Sequence, residues 1–142
     1  MEDGVIRRIM PNSLEAEQSV IGSMIMDRDA ITTTIEMLQK DDFYHQQYGI
    51  VFDAMRELYE ASQPVDLVTL QNKLKEKDVP QEVSSLEFVR DLLTMVPTSA
   101  NVKYYATIVQ ENSVQRRLIR IMEEISNECY AGKESLESVL PL

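Results

Sequence analysis

Side-chain catalysis needs reactive groups of the right types at the right spacing, and this chain offers few. His45 is the sole histidine and Cys129 the sole cysteine. A zinc site built on several imidazoles or thiolates needs more ligands than that, and a Ser–His–Asp system would have to spend the one imidazole available. His45 reads as a solvent-facing or helix-capping ring. Cys129 reads as a reduced, half-buried thiol that cannot pair within the chain. Carboxylates stand together at Glu15/Glu17, Asp41/Asp42 and Glu123/Glu124. Such pairs do acid–base work when buried in unlike surroundings, but polar neighbours and helical spacing make these read as solvated caps and faces. No catalytic, cofactor-binding or metal-ligating residue is assigned. Gly4, Gly22, Gly49 and Gly132 are scattered, and Gly132–Lys133–Glu134 lacks the upstream glycine and the hydroxyl of a phosphate-cradling loop. No nucleotide turnover is expected of these residues.

What remains is surface. Arg116, Arg117 and Arg120 form the one cationic cluster, read either as a docking patch for an acidic partner or a second copy, or as partners of Glu123 and Glu124 one turn on. An apolar stripe of Ile108, Val109, Leu118, Ile119, Met122, Ile125 and Cys129 shares that stretch. The candidate interface is therefore Ile108, Arg116, Ile119, Arg120, Met122, Ile125 and Cys129.

The elements that carry these residues follow from periodicity. Residues 1–11 show no helical period and end at Pro11, which makes them a tail. Asn12 as N-cap with Glu15 three residues on opens a first helix over 13–26. Asp27 or Asp29 caps a second, with Ile31, Ile35 and Leu38 on one side, ending near Lys40. A third covers 47–61, closed by Pro64, and Asp66 caps a fourth from Leu67 to about Lys77. Ser84 with Glu87 has capping-box spacing for a fifth, carrying Leu86, Val89, Leu93 and Val96 up to Pro97. From Val102 a helical period runs unbroken to Ala131 and stops at Gly132, about 30 residues or on the order of 45 Å. Ser135 with Leu136, Val139 and Leu140 starts a further helix. The expected fold is all-α: a compact orthogonal bundle over 12–100, with Leu14, Ile21, Phe52, Leu70 and Leu93 in its core, then a long helix opening a helical hairpin over 101–142 whose second arm is cut short. A head of about 90 residues cannot cover so long a rod, so part of the stripe must meet the returning arm or another subunit.

Composition agrees with a folded helical chain: 44% hydrophobic and 27% charged residues, 4 glycines, 5 prolines and no tryptophan. A formal charge of −10 repels phosphates, which argues against direct nucleic-acid binding. Nothing approaches the roughly 20 apolar residues of a bilayer span, and the acidic start, Glu2 and Asp3, is unlike a signal peptide. A cytoplasmic location is expected.

Three stretches carry a family likeness. Pro11–Asn12–Ser13–Leu14–Glu15–Ala16–Glu17–Gln18 is followed by Val20–Ile21–Gly22–Ser23–Met24. Asp42–Phe43–Tyr44 leads through Ile50–Val51–Phe52 and Leu58–Tyr59 to Pro64–Val65–Asp66–Leu67–Val68–Thr69–Leu70. Pro97–Thr98–Ser99–Ala100–Asn101–Val102–Lys103–Tyr104–Tyr105–Ala106 continues through Ile108–Val109 to Arg117–Leu118–Ile119. In this order, over roughly 11–132, they resemble the N-terminal domain of DnaB-type bacterial replicative helicases. Tyr48 replaces a frequent histidine and Ser84–Ser85 a common glycine pair. The resemblance implies a helical head and hairpin that pair with a second copy and assemble as a trimer of dimers on a hexameric motor. It implies docking of a DnaG-type primase and contact with a helicase loader. ATP and magnesium, and single-stranded DNA, would belong to a RecA-like motor domain absent from these 142 residues. A generic helical adaptor is the competing reading of the same fold, and a small hydrolase using an acidic pair is a third.

Overall fold

The computed structural model describes residues 9–94, 101–132 and 136–140. Among these the chain is helical and no strand is present. Helix α1 (Leu14–Met26) turns at Asp27 into α2 (Arg28–Met37), and a 3₁₀ turn (Lys40–Asp42) leads into α3 (Gln46–Glu60). There follow α4 (Leu67–Glu76), the short α5 (Gln81–Ser84), α6 (Leu86–Asp91) running into a second 3₁₀ turn (Leu92–Thr94), then α7 (Val102–Ala131) and α8 (Leu136–Val139).

Caps explain most boundaries. The Asp27 side chain accepts the Asp29 N–H at 2.9 Å, and Asp66 and Thr69 exchange side-chain and backbone bonds in a reciprocal box. Two caps sit one residue later than the spacing suggested. Ser13, not Asn12, takes the Ala16 N–H, while the Asn12 amide turns back to the Met10 carbonyl. Ser85, not Ser84, takes the Phe88 N–H, because a separate turn of helix occupies 81–84. Helix α2 stops at Met37, short of Lys40, since the 3₁₀ turn begins there. Val96, Pro97, Ser135 and most of the expected tail lie outside the described residues.

Helix α1 is central: Ala16, Val20, Ile21 and Met24 are buried, and it packs against α2, α3, α7 and the second 3₁₀ turn. The cluster continues through Ile31, Val51, Phe52, Met55, Leu70, Leu74, Val89 and Leu92. Leu14 and Leu93, expected inside, are 45% and 38% exposed: Leu14 is the first residue of α1 and Leu93 lies in the second 3₁₀ turn, where Leu92 is the residue turned into the core. Gly49 permits the tightest approach, since a Cβ there would lie 2.8 Å from the Lys40 carbonyl oxygen and hold α3 off the 3₁₀ turn. Gly132, at φ 65°, is the left-handed stop of α7, and its N–H returns to the Glu128 carbonyl.

An ionic seam ties α3 to the end of α4. Arg56 bonds Asp53 at 2.6 Å, and the Lys77 ammonium reaches both Asp53 and Glu57. Burial works to raise the Asp53 carboxyl, yet the Arg56 hydrogen bond and charge hold it below its ordinary value. The Lys77 hydrogen bond likewise holds Glu57 low, against a smaller effect of burial. A carboxyl depressed in the folded state contributes stability that is present above its unfolded pKa and lost as pH falls through its folded pKa. Urea midpoints should therefore fall steadily from about pH 5 toward pH 3, and Lys77→Met should flatten part of that slope. An unchanged slope in the variant would assign the acid sensitivity elsewhere.

Candidate functional site

Helix α7 presents two faces with different fates. Val102, Ala106, Val109, Ser113 and Arg116, at spacings of four and three, are buried against the head. Beyond Arg116 no residue of the helix is buried, so about 15 residues, on the order of 22 Å, run past the head. There Val114, Leu118, Ile121 and Ile125 again recur at four, three and four, with Met122 and Cys129 alongside. At about 100° per residue this second stripe lies roughly 150° around the helix from the buried one. Leu118 is 48% exposed, Ile121 45% and Met122 63%. Helix α8 touches α7, and its Leu136 and the following Leu140 are also exposed. Isolated apolar residues on a surface are ordinary, but a continuous stripe of this length marks a surface that meets something.

Where the two faces part, the contact with the head is polar. Glu17, on the one helix packed nearly all round, is 1% exposed. Its oxygens accept the Tyr44 N–H at 2.8 Å, the His45 N–H at 3.1 Å and a contact from His45 Nδ1 at 2.9 Å, so the carboxylate fixes the two residues that lead into α3. Asp42 takes the Gln39 N–H at 2.7 Å and the Ser113 hydroxyl at 2.6 Å, with Arg117 at 3.3 Å. Arg116, 2% exposed, donates to the carbonyls of Asp42 and Pro11, both at 2.8 Å, and lies 5.4 Å over the Tyr44 ring. Burial lowers its pKa, opposed by the Glu17 carboxylate and reinforced by Arg120; a guanidinium stays charged through such a change.

This corrects two expectations. Glu17 and Asp42 are not solvated: both are buried, and their oxygens take backbone N–H groups and the Ser113 hydroxyl. The Arg cluster does not act together either: Arg116 is consumed inside the head, Arg117 half-engages Asp42, and Arg120 is exposed. Among the described residues neither Glu123 nor Glu124 forms an ion pair with the cluster. Of the other residues singled out, Ile108 packs against the head core, Ile119 is half-buried on the flank between the faces, and Met122, Ile125 and Cys129 stand on the outer stripe. Val114 and Ile121 belong there too and were missed, although their spacing to Leu118 and Ile125 was visible. Among the described residues no group of three His, Cys, Asp or Glu stands together to hold a metal ion, and no helix is long and apolar enough to cross a membrane.

The profile of the DnaB-like helicase N terminal domain matches residues 9–111. The chain belongs to this family. It is 38% identical over 140 residues to the replicative DNA helicase DnaC of Bacillus subtilis, covering 99% of this chain and 31% of that protein. It is 38% identical over 133 residues to the replicative DNA helicase DnaB of Geobacillus stearothermophilus, with 94% and 29% covered. The chain thus spans less than a third of the relatives it matches. The crystal structure of the N-terminal domain of DnaB helicase from Mycobacterium tuberculosis superimposes with a TM-score of 0.86 at 37% identity, covering 92% of this chain and 94% of that one. The N-terminal domain of the Helicobacter pylori DnaB helicase, studied with its interactions with primase, shares the fold at a TM-score of 0.69 and 20% identity, with 82% and 90% covered.

Tyr48 and Ser85, set apart from the resemblance above, each have a local role. Tyr48 is buried, accepts the Gln18 amide at 2.9 Å and stacks on Phe88, so its ring fills the space between α3 and α6. Ser85, in place of a glycine, supplies the cap of α6.

The division of labour among the arginines is testable. Arg116→Ala would leave Glu17 without its neighbouring cation and strand two carbonyls, costing about 2–4 kcal/mol of unfolding free energy. Arg120→Ala should stay within about 0.5 kcal/mol. Urea denaturation followed by circular dichroism separates them, and equal effects would mean that Arg116 is not the anchor of α7.

Proposed function

We propose that this chain is the assembly and docking domain of a replicative DNA helicase, a head over 12–100 preceded by a short tail and followed by a hairpin over 101–142. The observation that carries it is the outer stripe of α7, apolar, continuous and turned away from the head. On this reading the stripe meets the returning hairpin arm and the same stripe of a second copy, and pairs assemble further into a hexameric collar. The motor that hydrolyses ATP with magnesium and moves on single-stranded DNA belongs to another part of such a helicase. Catalysis has no place in this domain on the same reading: the buried acids are spent on backbone N–H groups, a serine and arginines, which weighs against an acidic-pair hydrolase.

Self-association is tested on the stripe. Ile125→Asp places a carboxylate in the apolar contact at a cost of roughly 2 kcal/mol or more, enough to weaken a dimer at least about tenfold in sedimentation. Helicity should be kept, because Ile125 touches nothing in the head core. Unchanged association, or collapse of the circular dichroism signal, would show that the stripe is not the interface.

Docking of a DnaG-type primase is the second half of the proposal, supported by membership of the family and by the primase interactions studied in the Helicobacter pylori relative. A helicase loader is a further expected partner. The chain immobilised on a sensor should retain the C-terminal helicase-binding domain of the cognate primase with an affinity on the order of micromolar. A generic helical adaptor would self-associate without doing so, and no binding at concentrations well above that range would favour it.

A further inference from the structure

The contact between α7 and the head changes character along its length. Its first half is apolar, through Val102, Ala106 and Val109, while its last turn is polar: Ser113 bonds the Asp42 carboxylate and Arg116 the Asp42 carbonyl, with the Glu17 charge acting on Arg116 through space. Apolar burial is non-directional and tolerates a small roll of one helix on another. Hydrogen bonds of 2.6 to 2.8 Å to fixed carbonyls and carboxylates do not. Arg116 grips two separate segments, the lead into α1 through the Pro11 carbonyl and the 3₁₀ turn through the Asp42 carbonyl, with its charge set against Glu17 of α1. The planar, forked guanidinium fixes both directions at once.

We propose that this network is a positioning device that sets the angle at which the outer half of α7 leaves the head. Its place supports this: it sits at the last turn that touches the head, where the lever is longest. Cys129 lies about 20 Å further along the helix, so a swing of about 10° at the joint moves it by roughly 3–4 Å. A buried ionic network is weak evidence of stabilisation and is best attested as a device for registry. The apolar first half of the contact keeps α7 attached while the polar turn decides its direction. Arg116 and Glu17 are positioning residues in this sense, acting on a partner surface that they do not touch.

The chain carries its own probe. Cys129 is the only cysteine and is exposed near the tip of α7, and Val68→Cys on the exposed side of α4, which does not pack on α7, supplies a second label site on the head. Nitroxides at these two positions, with labelled chains diluted into an excess of unlabelled chain, give an intrachain distance distribution by pulsed electron spin resonance. That readout does not depend on whether the chain self-associates or binds primase. The parent pair should give one narrow distribution. Arg116→Met, which keeps the side-chain length, and Glu17→Gln, which keeps the shape, should each broaden or shift it while circular dichroism shows the head still helical. Arg116→Lys, able to reach one carbonyl but not both, should fall between. Distributions unchanged in both variants, or already as broad in the parent, overturn the proposal. So does loss of head helicity in both variants, since the network would then be ordinary core.

Discussion

A guanidinium removed from water must be met by acceptors in its own plane, and in this domain that requirement links three parts of the chain. Arg116 sits against the Pro11 and Asp42 carbonyls with the Glu17 carboxylate nearby, and each of those groups answers a second demand. Glu17 accepts the backbone N–H groups of Tyr44 and His45, which lead into α3. Asp42 ends the 3₁₀ turn and binds Ser113 one turn before Arg116. None of the three could be buried alone, because an unpaired charge in the interior costs several kcal/mol. Buried together, they hold α1, the approach to α3 and α7 in fixed relation, and the apolar core fills the space so defined.

The same network explains why α7 can carry two apolar faces without confusion. A helix with apolar residues on opposite sides could in principle dock by either one. Here the inner face ends in Ser113 and Arg116, which only the head can satisfy, while the outer face holds Val114, Leu118, Ile121 and Ile125 with no polar group in its 4–3–4 series. Flipping the helix would bury the stripe against the head and leave Glu17 and Asp42 with unmet charge. Polar specificity on one side therefore leaves the other available to partners.

Much of this was legible in the sequence, and the failures share a cause. Helix positions, the Asp27 and Asp66 caps, the Gly132 stop and the excess length of α7 all follow from local spacing, and local chemistry decides them. The burial of Glu17, Asp42 and Arg116 does not, because their long-range partners lie between 27 and 105 residues away along the chain. An isolated carboxylate in a polar stretch reads as solvated until the N–H groups it accepts are known. The stripe was half found for a related reason: apolar residues on α7 were gathered as one set, which merged Ile108, half-buried against the head core, with Met122 and Ile125 of the outer face. Helical angle does not separate Ile108 from Met122; only the point at which the head stops, Arg116, does.

Magnitudes limit what the outer stripe can do unaided. Fully burying an isoleucine, leucine or methionine that was exposed contributes roughly 1.5–3 kcal/mol, and Val114, Leu118, Ile121, Met122 and Ile125 are already partly covered or only half exposed. Their sum is on the order of 5 kcal/mol per chain, close to the lower bound of what association costs in lost freedom, about 4–15 kcal/mol. Such a face is thus matched to modest pairing, and on the proposed assembly a closed ring would hold it more firmly because each later contact would form within an assembly already joined. In such an assembly a fixed departure angle for α7 matters more than a stronger stripe. A contact formed at the wrong angle could not close such a ring, whatever area it buried, so on the proposed assembly the polar joint and the apolar face would act as two halves of one interaction surface.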